Sequence, residues 1–213
     1  MVGQVHQAGV LAALQVDLGW DARTADIVVG TSAGSLTGAM LRAGTSPLDL
    51  ASWVAGRPWS PDQPILEGLD ALRGGLPVVN LRSLLRPWQI PALGTCVPLG
   101  GHSWALRPLV ILASMLPDGK TKMKDLIDVH MTDWNELEWP ADFWVCTGRR
   151  DGTRIVFGQQ PGEAPDLSVA IAASTAIPGY FSPVTMKDKH HLNGGLYLTF
   201  RMCEDGFASP TQR

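Results

Sequence analysis

The first group in this chain placed to do chemistry is the hydroxyl of Ser32, inside Gly30-Thr31-Ser32-Ala33-Gly34. A serine between small residues, with an apolar strand before it and a helix after it, is the nucleophile-elbow pattern. The bend lifts the hydroxyl out of the sheet. The following helix aims its free N–H groups and positive dipole end at the same place, which favours developing negative charge. The competing reading is an ordinary Gly/Ser turn. A nucleotide-binding reading is weak, because residues 30–35 lack the lysine of a P-loop and no G-x-G-x-x-G follows a strand.

The elements that must hold Ser32 can be read on either side of it. Val10, Leu11, Leu14 and Leu18 predict one face of a helix that Gly19 ends. Asp26 to Val29 predicts a strand, and Ala33 to Ala43 the elbow helix, closed by Gly44. Only one helix then precedes the elbow strand. An α/β-hydrolase places several strands ahead of its nucleophile, so position 32 is too early for that architecture.

Downstream, Ser46-Pro47 reads as an N-cap and first-turn proline opening a helix to about Ala55. Prolines 58, 61, 64, 77, 87, 91 and 98 then mark loop-rich ground with a short helix near 81–85. Trp59, Leu84, Leu85, Trp88 and Ile90 fit an apolar entrance, although plain packing of an insertion is the favoured reading. Helices are expected over 103–116 and 123–130. Runs 143–147 and 153–157 predict strands, joined by an Asp151-Gly152 turn. The cluster of Arg149, Arg150 and Arg154 there reads as a solvated hairpin tip. A further helix is expected over 166–174.

Composition bounds the rest. The chain has 213 residues, 45% hydrophobic and 17% charged, enough for one domain with a core. Net charge is −3, which makes no case for nucleic acid as a partner. Cys96, Cys146 and Cys203 form no C-x-x-C pair, which suits free thiols in a reducing compartment. No apolar run reaches the roughly 18 residues of a membrane span, and the N-terminus lacks the basic region of a signal peptide. The expected location is the cytoplasm, with peripheral contact to a membrane left open.

Ala8-Gly9-Val10-Leu11-Ala12-Ala13-Leu14, the early Gly30-Thr31-Ser32-Ala33-Gly34 elbow, and Ala173-Ser174-Thr175-Ala176-Ile177-Pro178 leading to Phe181, Pro183 and Val184 together resemble the patatin-like phospholipase family. The resemblance implies an α/β fold in three layers, a mostly parallel central sheet with helices on both faces. It implies lipid acyl-ester hydrolysis by a Ser–Asp dyad, a lipid or acyl-ester substrate, and no metal or cofactor. It covers about Gly3 to Gly195 and is dense only in the first forty residues and over 168–195. The domain is expected over 1–195, with a tail over 196–213.

Carried onto this chain, the resemblance makes Ser32 the nucleophile and places Asn193, with Gly194 and Gly195, where the family has its aspartate turn. An asparagine amide cannot accept the serine proton at neutral pH. At a supporting position of a serine triad, an Asp→Asn change costs about 10⁴ in rate. The expectation is a weak or inactive hydrolase, with a non-catalytic lipid- or acyl-binding protein as the rival.

Asp188, His190 and His191 are nearby substitutes for the base, but exposed strand and turn polars are the plainer reading. Asp205-Gly206 lies too far on. Asn193-Gly194 is also the dipeptide most open to deamidation, and conversion to aspartate would restore a carboxylate. Gly3 matches only the last glycine of the family's oxyanion loop, and the strand before that loop is not in this sequence. The chain therefore reads as a fragment, a misassigned gene model or a decaying copy, with sheet edges left open beside the elbow.

Overall fold

The computed structural model describes residues 2–63, 66, 138–149, 153–160, 162, 164–178 and 181–195. The helices expected over 81–85, 103–116 and 123–130, the Asp151-Gly152 turn, most of the Trp59–Ile90 entrance, and Asp205 lie outside them.

Helix α1 runs Val2–Leu18, and Gly19, at φ +65°, terminates it in the left-handed conformation expected of a glycine stop. Its buried stripe is Gln4, Ala8 and, in part, Leu11 and Leu14. Val10 and Leu18, which the sequence places on that stripe, are exposed. The helix also begins earlier than expected. Gly3 sits in its first turn and not in a loop before it.

A 3₁₀ turn over Ala22–Thr24 leads into β1, Val28–Thr31. Helix α2 follows at once, Ala33–Arg42. Gly38 lets it lie close on the sheet: a Cβ there would stand 2.6 Å from the Phe143 ring and 2.9 Å from Val28. Arg42 near its C-terminal end donates to the carbonyls of Arg23, Ala25, Asp26 and Asp142, pinning the chain that enters β1. Helix α3, Pro47–Val54, is capped by Ser46, whose Oγ accepts from the Asp49 N–H at 3.0 Å.

The sheet adds β2 (Phe143–Arg149), β3 (Arg154–Phe157), β4 (Val184–Met186) and β5 (Lys189–Asn193). Helix α4, Leu167–Thr175, comes between β3 and β4. It is buried almost all round, and Ala170, Ala172 and Ala173 let it sit close to β2 and β5.

Among the described residues the sheet is mixed and not mostly parallel. Only β1 and β2 pair parallel; β2–β3, β2–β5 and β4–β5 are antiparallel. For two of the three antiparallel pairs the reason is local: β2–β3 and β4–β5 are joined by only a few residues, and so short a connection can join only antiparallel neighbours. The β4–β5 turn holds Lys187 and Asp188, both at positive φ. The core gathers Met40, Leu50, Trp53, Leu66, Phe143, Val145 and Ile171, with Trp59 packed partly buried against it.

The register fixes where the ends of two strands meet. β1 pairs with residues 143–146 of β2, β3 with 145–148, and β5 with 147–149. β3 overlaps both others and so takes the opposite edge; β1 and β5 therefore share one edge. Thr31 ends opposite Cys146, and Asn193 ends opposite Thr147. The C-terminal ends of β1 and β5 thus meet head to head at adjacent residues of β2.

Candidate active site

Ser32 stands between β1 and α2 at φ 54°, ψ −124°, a backbone state rare for a side chain with a Cβ. Such strain costs of order 1–3 kcal/mol and persists where the surroundings impose it. Here Gly30 makes room for it. A Cβ on Gly30 would lie 2.5 Å from the Ser35 Cα and 2.6 Å from the Gly34 carbonyl oxygen, so the turn closes only on glycine.

The hydroxyl is not used as a cap. A serine at the N-cap ordinarily accepts from the first turn of its helix, but the Ser32 side chain makes no such bond. The turn is held by Ser35 instead: its N–H and its Oγ–H both donate to the Ser32 carbonyl, at 2.9 and 2.7 Å.

Asn193 reaches the serine across the shared edge, its Nδ2 donating to Ser32 Oγ at 2.8 Å. The orientation of the amide is decided by its other end. The Gly195 N–H, which can only donate, meets Oδ1 at 2.7 Å, so the nitrogen must face the serine. Asn193 is 5% exposed. Close approach to backbone requires glycine at 194. A Cβ on Gly194 would stand 2.5 Å from the Cys146 carbonyl oxygen, and one on Gly195 would stand 2.9 Å from Asn193 Oδ1.

The end of α4 braces both partners. The Ser32 N–H donates to Ser174 Oγ at 2.8 Å, and Ser174 Oγ–H donates to the Cys146 carbonyl at 2.8 Å. The Asn193 N–H donates to the Ala176 carbonyl at 2.9 Å. Reading the residues for chemistry missed Ser174. Its only signal was its place in the Ala173-Ser174-Thr175-Ala176 run.

The other sequence candidates fall elsewhere. Gly3 is exposed, in the first turn of α1, and a Cβ there would lie 3.5 Å from Ala33 Cβ, so it sits beside the start of α2. Thr31 is the last residue of β1. His190 is exposed, its Nδ1 3.1 Å from Thr185 Oγ1. His191 is buried, its ring 5.7 Å from Phe157 and its Nδ1 3.4 Å from Thr147 Oγ1. Asp188 lies in the β4–β5 turn. Among the described residues no group of His, Cys, Asp and Glu is arranged to hold a metal ion.

A strained serine between strand and helix, its hydroxyl accepting a hydrogen bond from a second side chain, is the arrangement expected of a serine hydrolase on an α/β sheet. The family model for patatin-like phospholipases matches residues 4–202, and the chain belongs to that family. Lipid hydrolysis is the activity the family carries. No curated protein matches the chain.

Proposed function

We propose that this chain is a patatin-like lipid acyl hydrolase of the esterase or phospholipase type whose general base has been replaced, leaving it weak or inactive. The observation that carries the reading is the hydrogen bond from Asn193 Nδ2 to Ser32 Oγ at 2.8 Å. In the proposed reaction Ser32 Oγ attacks the ester carbonyl and an acyl-serine forms as the alcohol leaves. Water then releases the fatty acid. The Gly3 N–H and its neighbours, with the positive end of α2, would face the oxyanion. Gly3 suits this because N–H groups in a first helical turn lack an intrahelical partner. Attack requires the serine proton to move to a base. The atom at hydrogen-bond distance already carries two protons, and its lone pair is delocalised into the amide carbonyl and cannot take a third at neutral pH. Substrates are lipid or acyl esters met at a membrane surface by peripheral contact. Among the described residues no helix is long and apolar enough to cross a membrane.

A second reading, an acyl or lipid binder, is favoured by the same bond. Because Ser32 Oγ accepts from Asn193, its own hydrogen points elsewhere and is available to a ligand oxygen. A fluorophosphonate probe separates the two. Slow labelling of Ser32, absent in Ser32→Ala, supports the hydrolase. Fatty-acid binding with no labelling over days supports the binder and overturns the first reading.

A further inference from the structure

Ser174 lies near the end of α4, fully buried. Its neighbour Thr175 bonds back to its own helix, donating to the Ile171 carbonyl at 2.7 Å, as helical serines and threonines commonly do. Ser174 does not. Its hydroxyl crosses to the sheet and sits between two backbone groups whose roles are fixed. The Ser32 N–H can only donate to it, and the Cys146 carbonyl can only accept from it, each at 2.8 Å. Thr31 is paired with Cys146, so this bridge stands one residue past the last rung of the β1–β2 ladder. There the chain turns to φ 54° and leaves the sheet.

We propose that Ser174 is a positioning residue for the nucleophile: its hydroxyl bridges the Ser32 N–H to the Cys146 carbonyl and holds the bend that presents Ser32 Oγ to Asn193. The proposal rests on the reading of Ser32 as an acyl-ester nucleophile. The bridge gives the bent residue a partner for an N–H that would otherwise be left unpaired as the ladder ends. It also ties Ser32 to β2, the strand on which Asn193 pairs, since Cys146 is followed by Thr147, the register partner of Asn193. Two residues on, the Ala176 carbonyl receives the Asn193 N–H. One short stretch of chain therefore sets both sides of the Oγ–Nδ2 contact.

The test has two readouts. The first is hydrolysis of a p-nitrophenyl acyl ester in an Asn193→Asp background. Ser174→Ala is expected to lower kcat on the order of 10- to 100-fold, since small misplacement of a reacting group carries losses of that size. KM should stay within about twofold, because the hydroxyl does not touch substrate. Ser174→Cys, similar in shape but a weaker acceptor, should fall between. The second readout is amide hydrogen exchange over residues 31–35 in the otherwise unaltered chain, where Ser174→Ala should speed exchange at Ser32. A lower melting temperature with kcat per folded molecule and Ser32 exchange both unchanged would reduce Ser174 to packing and overturn the proposal. If Asn193→Asp alone shows no hydrolysis, the hydrolase reading fails. Exchange at Ser32 then decides the Ser174 claim, faster supporting it and unchanged overturning it. Should Ser174→Ala not fold, Ser174→Cys carries both measurements.

Discussion

Replacing Asn193 by aspartate should switch the site on, and the structure sets the size of the effect. The side chains are nearly isosteric, so the substitution calls for little movement. Oδ1 keeps the 2.7 Å bond from the Gly195 N–H, and the second oxygen takes the place of Nδ2, 2.8 Å from Ser32 Oγ. That separation is already within the roughly 2.6–3.2 Å that a general base needs. No reorganisation then subtracts from the gain, which should approach the ordinary worth of a positioned base, about 10²–10⁴ in rate. At 1.36 kcal/mol per decade this is about 2.7–5.4 kcal/mol of barrier. The assay is hydrolysis of a short-chain p-nitrophenyl ester and of phospholipid vesicles, with fluorophosphonate labelling of Ser32 counting competent sites. The rate should rise with pH as the new carboxylate ionises, and Ser32→Ala should abolish it. A folded Asn193→Asp protein, shown crystallographically to hold its carboxylate against Ser32 Oγ yet hydrolysing no faster than the parent, would refute the reasoning.

Other outcomes follow from close contacts and charge. Gly30→Ala puts a methyl 2.5 Å from the Ser35 Cα, so it should lower stability by about 1–3 kcal/mol or more and remove labelling of Ser32, read by urea melts and probe gels. Gly194→Ala meets the Cys146 carbonyl at 2.5 Å and should push the Asn193 turn off β2. In the Asn193→Asp background it should abolish hydrolysis while the Ser35–Ser32 turn keeps its slow hydrogen exchange. Burial works to raise the Asp49 carboxyl, but hydrogen bonds from Ser46 and Ser60 outweigh it and hold the group below its ordinary 3.8. A lowered folded value stabilises above the unfolded one. That contribution should fade as pH drops below about 3.8, and Asp49→Asn should flatten this part of an acid melt. Deamidation at Asn193-Gly194 requires the side-chain carbonyl carbon to swing onto the Gly194 nitrogen, which breaks the bonds to Ser32 and Gly195. Mass spectrometry should find it far slower in native protein than in urea.

The parts of this fold written in neighbouring residues were readable beforehand. Gly19 and Gly44 as helix stops, Ser46-Pro47 as a helix start and the strand–serine–helix order around Ser32 each depend on a few adjacent positions, and each is present. What was not readable depends on partners far along the chain. Nothing near residue 32 says that β5 will run antiparallel on the same edge of β2 as β1, yet that register is what brings Ser32 and Asn193 together. The apolar stripe of α1 misled for a related reason. Val10 and Leu18 look like core residues by type, but the buried face is chosen by packing on α2 and α3, and it includes Gln4 while leaving Val10 and Leu18 exposed.

The substitution that decides the chemistry is the one the fold registers least. An aspartate at 193 would accept from the Gly195 N–H through the same oxygen, sit in the same turn, and need the same Gly194 against Cys146. Every backbone contact that places Asn193 is indifferent to whether the remaining side-chain atom is nitrogen or oxygen. Only Ser32 Oγ distinguishes them, because it must accept from one and can donate to the other. On the proposed reading, packing, strain and strand register therefore keep a hydrolase-shaped site intact around a pair without a proton acceptor, and a single atom would separate the acyl binder from the enzyme.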